Sequence, residues 1–249
     1  DTRLVIPVHM AGQPADMKAI AMIARKNNLH VIEDAAHAIG SQYADGSYVG
    51  NCEYSDMTTF SFHPVKTITT GEGGAIVTDD EGLAAFAREF RDHGRRMTDG
   101  RASFVRAGLN YRLTDFQAAL GLSQLARIGE ILEWRRHLAR SYLDLLDGLP
   151  LVLPVDGGLA SAWQSFVVRL DSGTNREEVI ASLAELGIES SLGTIALPLT
   201  MHFSELSPVI PQELSVVEDL SESSLALPFF TTMTRADQQR VTKALEAAL

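Results

Sequence analysis

Two side chains give this sequence its chemistry. Asp34 stands directly after an apolar run, and Lys66 sits on a turn among small polar residues. Lys66 belongs to the stretch DMTTFSFHPVKTITTGEGG, residues 56–74. That stretch begins as a β-type run, Met57 to Phe62, of β-branched and aromatic residues. It breaks at Pro64 and delivers one lysine into the hydroxyls and glycines of Thr67 to Gly74. A buried amine there sheds its proton and becomes the nucleophile of Schiff-base chemistry. On a surface loop after an edge strand, the same lysine is an ordinary cation. Asp34 closes the run VIED, where it is either the N-cap of a helix from Ala35 or a ligand contact. Ligands of open α/β sheets gather beyond the carboxyl ends of the strands, but on position alone the cap is the favoured reading.

The elements that must position these residues can be read in order. Leu4–His9 reads as a buried strand, followed by the turn AGQP with Pro14 suited to a first helical turn. Met17, Ile20, Ala21 and Ile23 give helical spacing to about Lys26, and Leu29–Glu33 is a second strand. Strand, helix and strand in so short a span make a βαβ unit and predict a parallel sheet. His37 lies one turn beyond Asp34 if a helix begins there, and on its own reads as a structural core histidine. After the Lys66 loop come a short strand, Ala75–Thr78, and a helix, Glu81–Phe90, ending near His93–Gly94. Gly100–Asn110 reads as loop. From Thr114 a long amphipathic helix is predicted, with Phe116, Leu120, Leu122, Leu125, Ile128, Ile131 and Leu132 on its apolar side, running past Gly129 to Leu146.

The run LPLVLPVDGG, 149–158, breaks the pattern and marks a domain boundary, giving a large domain over 1–148 and a small one over 149–249. The small domain reads as α/β. A strand at Trp163–Leu170 precedes a helix at Arg176–Leu186 closed by Gly187, and another strand begins at Ile188–Ser190. Gly193–Pro211 reads mostly as loop and Ser224–Pro228 as a strand. Thr234 caps the last helix with Asp237 three residues on.

The composition narrows the functions open to such a chain. With 249 residues, 45% hydrophobic and 21% charged, it can bury a sizeable core. A net charge of −11 argues against general binding to nucleic acid or an anionic membrane, although Arg88, Arg91, Arg95 and Arg96 can still hold a phosphate. Cys52 is the only cysteine, so there is no intrachain disulfide framework, and the cytoplasm is the expected compartment. No run approaches a transmembrane helix, and there is no zinc-type Cys/His spacing and no P-loop. The chain opens without Met, in a strand-like LVIPV, and is expected to start inside a domain as a processed or excised segment.

Taken together, PVHMAGQPADM (7–17), VIEDAAHAIGS (31–41), FSFHPVKTITTGEGG (60–74), FRDHG (90–94) and LNYRLTDFQAALGLSQL (109–125) resemble the DegT/StrS family of sugar aminotransferases. The resemblance extends to ALPFF (226–230), before the final helix. It implies an α/β protein of fold type I, like aspartate aminotransferase, with an incomplete large domain and a smaller C-terminal one. It also implies pyridoxal phosphate (PLP) as cofactor. Lys66 matches the lysine that bonds covalently to PLP and later shuttles the substrate proton. Asp34 matches the carboxylate that pairs with the pyridine nitrogen and keeps the ring an electron sink. His37 resembles the residue packed against the ring, Ser61 the hydroxyl on the phosphate, and Asn110 the asparagine reaching the phosphate across a homodimer interface, with Arg112 as fallback. Glu72 and its neighbouring glycines shape the loop, and His63 is given no chemistry.

The same resemblance implies a nucleotide-linked keto-deoxy sugar as substrate, aminated at C4 with glutamate as donor. The wording HPVKTITTGEGG is closest to nonulosonic-acid and perosamine-type pathways; a C3 ketone or a cyclitol remains an alternative. Two departures stand out. Family members carry a further portion before PVHxxGQ, with a phosphate loop and the aromatic that stacks on PLP, so this chain alone is expected to bind PLP weakly. And GIESSLGTIALPLTMHF (187–203) lacks the His-Tyr of many members, with His202 out of register. Two other classes compete: a non-catalytic relative that binds PLP or a sugar nucleotide as a regulator, and a cofactor-free domain using TTGEGG as an anion nest.

Overall fold

The computed structural model describes residues 2–155, 161–206 and 214–249. The chain divides into two compact units, Asp1–Glu133 with Asp156–Gln164, and Trp134–Val155 with Ser165–Leu249. The division falls inside a helix because that helix's later residues pack into the second unit's core. The proline-rich run from Leu149 to Val155 thus counts with the second unit, and residues 156–158 lie outside the described ones.

The first unit is built on a four-stranded sheet, in the order β1 (Leu4–Val5), β2 (His30–Asp34), β3 (Met57–Ser61) and β4 (Gly74–Val77). β1 and β2 pair in parallel around helix α1 (Met17–Asn27), as the βαβ pattern predicts. Asp16, not the Pro14 region, starts this helix, its carboxylate accepting from the amide of Ala19 at 3.1 Å. Asn28 ends it in the left-handed conformation. β2 and β3 are also parallel, while β4 folds back antiparallel, so the sheet is mixed. Met17, Ala24, Val31, Ala35, Ala38, Tyr43 and Val49 fill the core beside it.

Helix α2 (Glu81–Phe90) has the predicted bounds, with Asp80 capping the amide of Leu83 at 2.8 Å. The stretch expected as loop, Gly100–Asn110, instead contains β6 (Arg101–Phe104), which forms a hairpin with β5 (Arg95–Thr98) just before it. Its two-residue turn is Asp99-Gly100, both at positive φ, and this Asp-Gly pair was the signal to read. The single long helix is in fact two. α3 (Asp115–Leu125) opens on a capping box between Thr114 and Gln117, and α4 (Ile128–Leu146) begins after a break at Ala126 and Arg127. The Arg127 amide turns back only to Gln124, closing α3 tightly, and Gly129 falls in the first turn of α4. The large apolar residues of α3 face outward, with Phe116 91% and Leu122 70% exposed.

In the second unit, β7 (Leu151–Val152), β8 (Phe166–Leu170), β10 (Ser224–Leu227) and β9 (Ser191–Leu192) lie in that order, all antiparallel. Tyr142 from α4 packs on Phe166 and Phe229 and donates to the carbonyl of Pro228 at 2.9 Å. Helix α5 (Arg176–Glu185) is capped by Asn175, and Gly187 follows at positive φ. Part of the stretch read as loop is helical, with a 3₁₀ turn at Leu197–Leu199 and α6 (Met201–Leu206); residues 207–211 lie outside the described ones. Helix α7 (Ser215–Ser223) has no counterpart in the sequence reading, whereas α8 (Arg235–Ala248) carries the expected Thr234–Asp237 box. Among the described residues, no helix is long and apolar enough to cross a membrane.

Gly94 and Gly100 frame a direct test of the hairpin. Both have positive φ, but a Cβ on Gly94 would lie 1.8 Å from the Arg106 carbonyl oxygen, whereas nothing lies within 4 Å at Gly100. Gly94→Ala is expected to cost about 2–4 kcal/mol in denaturant unfolding and Gly100→Ala only about 1 kcal/mol. Equal losses would show that conformation alone, not the missing space, sets the penalty.

Candidate active site

β2 delivers Asp34 to a strand end held from both sides. The His9 amide donates to the Asp34 carbonyl at 3.0 Å, and the Asp34 amide to the Pro7 carbonyl at 2.9 Å. On the other flank Asp34 pairs with Thr59, and the amide of Ala35 reaches the Thr59 carbonyl. No helix begins at Ala35. Asp34 Oδ1 instead accepts from the Ala36 amide at 3.0 Å, closing a turn two residues long. The cap reading therefore holds for a turn rather than a helix.

Lys66 is presented by a loop that satisfies its own backbone. The Lys66 amide bonds to the His63 carbonyl beyond Pro64, and the Thr70 amide to the Phe62 carbonyl. Thr69 bonds to the Phe62 carbonyl and the Gly71 amide, and Thr70 to the Glu72 carbonyl. Buried Thr67, Ile68 and Thr70 anchor the loop beneath the half-buried Lys66. Burial pushes the Lys66 amine below its ordinary value of 10.5, while the charge of Asp34 pulls it back up. His37 is likewise pushed down, first by burial and then by Lys66, against the pull of Asp34. The three groups are thus within electrostatic reach of one another. His37 Nδ1 accepts the Ala11 amide at 3.3 Å, so the neutral ring carries its proton on Nε2.

Ser61 ends β3 opposite Gly74, and its Oγ accepts the His63 amide at 3.4 Å, leaving its hydroxyl proton to donate elsewhere. Asn110 lies apart. It pairs with Asp92 in an isolated bridge, beside Arg112, whose guanidinium meets Asp92 at 2.5 Å. Among the described residues, no hydrogen bond or ion pair joins Asn110 or Arg112 to Lys66, Asp34, His37 or Ser61. The exposed pair of His63 and Glu72, 3.8 Å apart, sits on the rim of the loop.

Sequence reasoning passed over a buried network directly behind the site. Glu33 and His9 are both 0% exposed, with His9 Nε2 at 2.8 Å from the carboxylate. Ser55 donates to Glu33 at 2.5 Å and Thr58 at 3.2 Å, and Tyr43 adds a short hydroxyl bond. The Ala15 amide donates to His9 Nδ1 at 3.0 Å, so Nε2 is the donor toward Glu33. Burial alone would raise the Glu33 carboxyl, but its bonds to His9, Ser55 and Tyr43 hold it below the usual carboxylate range. Burial, reinforced by the bond to Glu33, pushes the Tyr43 hydroxyl up. The signal was available: Glu33 shares strand parity with the apolar Val31, and a carboxylate on that face must be partnered.

The chain matches the DegT/DnrJ/EryC1/StrS aminotransferase family over residues 1–246. Among solved structures it is similar to Helicobacter pylori PseC, an aminotransferase involved in the biosynthesis of pseudoaminic acid, at 26% identity and a TM-score of 0.92, covering 99% of this chain and 67% of that one. It resembles S. venezuelae DesV at 33% identity and a TM-score of 0.87, covering 99% and 65%. A putative sugar aminotransferase from Streptococcus pneumoniae, Spr1654 in its PLP-form, matches at 25% identity and a TM-score of 0.90, covering 99% and 68%. The chain spans about two thirds of the length of each.

Glu33→Gln removes the charge and turns one of the two acceptor oxygens into a donor that faces other donors, and is expected to cost about 2–4 kcal/mol near neutral pH. Because the folded carboxyl titrates below its ordinary 4.5, its contribution is fully present above that pH and is lost as pH falls through the folded value. Unfolding of both proteins between pH 7 and acid should therefore show the gap closing below about 4.5. A gap independent of pH would mean that the carboxyl is not held ionised.

Proposed function

Because the chain belongs to the DegT/DnrJ/EryC1/StrS aminotransferase family, we propose that the Lys66 turn and the Asp34 strand end form the reactive centre of a PLP-dependent sugar aminotransferase. The observation that carries this reading is a half-buried amine, weakened as a base by burial, within reach of a carboxylate at the end of a parallel strand. Those residues suit PLP: an amine to bond its carbonyl carbon, a carboxylate for its ring nitrogen, and a hydroxyl at Ser61 for its phosphate. When bound, PLP supplies an electron sink for moving an amino group. Lys66 Nζ holds the cofactor and then moves the substrate proton, a task suited to an amine that loses its own proton below the ordinary lysine value. Asp34 would hold the ring nitrogen protonated when the cofactor is bound, and His37 would lie against the ring.

The substrate we assign is a nucleotide-linked keto-deoxy sugar, aminated at C4 with glutamate as donor. The names of the similar proteins support a sugar, and the HPVK wording of this chain supports the finer choice. In this reading residues 1–148 carry the cofactor, 149–249 form the smaller domain, and the single Cys52 suits the cytoplasm.

Reduction of the PLP-treated protein with borohydride should place the pyridoxyl group on Lys66, and labelling of Lys18 or Lys26 instead would sink the assignment. Asp34→Asn should keep PLP bound while amination of keto-sugar nucleotides falls roughly hundreds-fold. Near-normal turnover would reduce Asp34 to a turn-closing residue.

The assembly proposed with it is a C2 dimer in which Asn110 serves the partner's phosphate site. The outward apolar side of α3 supports that arrangement. Light scattering should report the mass of two chains for the active enzyme. A fully active monomer would remove Asn110 from the site.

A further inference from the structure

One side chain grips the Lys66 turn from both sides, and it comes from far along the chain. Gln164 Nε2 donates to the carbonyl of Val65 at 2.5 Å, and Thr67 Oγ1 donates to Gln164 Oε1 at 2.9 Å. Val65 and Thr67 are the two neighbours of Lys66. Gln164 is 7% exposed, so its amide exchanges little with water and its two bonds are not readily replaced.

Gln164 is itself fixed by backbone. Its amide donates to the Ala11 carbonyl at 2.9 Å, and the Ala11 amide donates to His37 Nδ1 at 3.3 Å. A continuous chain of hydrogen bonds therefore runs from His37 through Ala11 and Gln164 to the Lys66 turn. The backbone along it is strained: Ala11 has φ 56° and Trp163 φ 49°, an outlier conformation for so bulky a residue. Gly12 lies between them at φ 94°, and a Cβ there would approach the Trp163 amide nitrogen to 2.8 Å and that of Gln164 to 3.0 Å. Strain of this kind persists where the surroundings over-determine it, and it concentrates at functional sites.

We propose that Gln164 is a positioning residue for Lys66, setting the direction from which its amine is delivered toward Asp34 and His37. The task requires one donor for a carbonyl, one acceptor for a hydroxyl and no net charge beside the amine, which a primary amide supplies. Glutamate has no donor for Val65, and leucine has neither. This rests on Lys66 as the reactive amine, and the experiment separates the two.

Cofactor-free protein is acetylated with trace acetic anhydride across pH, and peptide mass spectrometry reads the titration midpoint of Lys66, with Lys18 and Lys26 as internal references. Asp34 and His37 are the titratable groups coupled to Lys66, and both stay in every variant. The natural protein should show Lys66 below 10.5. Gln164→Leu frees the turn into water and should raise the midpoint by about one pH unit, leaving roughly tenfold less neutral amine near pH 7.5 and a similar slowing of borohydride-trapped PLP capture. Thr67→Val, which keeps the Val65 bond, should move it less and serves if Gln164→Leu does not fold. Val31→Ala weakens the same unit's core without touching the turn and should leave the midpoint in place.

A lowered natural midpoint that neither Gln164→Leu nor Thr67→Val moves overturns the clamp alone, as does an equal shift in Val31→Ala. A natural midpoint at 10.5 overturns the reactive-amine reading together with it.

Discussion

The first unit depends on a carboxylate that never meets water. Glu33 is fully buried, and a charge so placed is tolerated only when donors surround it. Its four donors come from three places: His9 after β1, Tyr43 in the crossing loop, and Ser55 and Thr58 at the entry to β3. None of these segments can shift without stranding the charge. The requirement also fixes strand register. Side chains alternate along a strand, so the parity that buries Glu33 turns Asp34 to the other face. A slip of one residue would exchange their places. The buried carboxylate orders the chain, and the half-buried one is the one proposed for chemistry.

The loop around Lys66 shows how a polar segment can be rigid. The hydroxyls of TITTGEGG look like a cradle for an anion, yet most are spent inward. Thr69 holds Phe62 and Gly71, Thr70 holds Glu72, and Thr67 reaches Gln164. Ile68, 1% exposed, anchors the loop. The hydroxyls thus build the platform rather than the ligand shell, and the amine rises from a backbone with few alternatives. In the proposed reading that rigidity matters, because a nucleophile held in one direction avoids an entropic cost at every encounter.

What was legible in the sequence was local. The α2 bounds, the Thr234 box and the βαβ pairing each follow from signals within a few residues or one periodic run. The hairpin at 95–104 escaped because its residues are exposed and lack alternation, leaving only Asp99-Gly100 to announce it. The helix from Ala35 that the capping alternative for Asp34 required does not form, because Asp34 bonds its own turn. Of the candidate residues, Lys66, Asp34 and His37 come into mutual reach from turns and strand ends that local signals mark. Glu33 with His9, and Gln164 with Val65 and Thr67, pair across long separations that no spacing rule contains.

Helix α3 shows what an amphipathic pattern can and cannot say. The spacing gives the apolar side, but not whether that side meets the protein's own core or a partner. The structure puts the small side inward: Gly121 is buried, and a Cβ there would come within 3.0 Å of Thr70 Cγ2. Gln117 Nε2 meanwhile donates to the Glu72 carbonyl at 2.8 Å. The loop that carries Lys66 leaves no room for large side chains, so Phe116 and Leu122 are driven outward. Covering each would release about 1.5–3 kcal/mol. In the two-subunit reading that energy holds the partner, and the same helix rests on the lysine loop through Gln117 and Gly121. Assembly and the presentation of Lys66 would then share one element, which links the outer face of the protein to the proposed reactive amine.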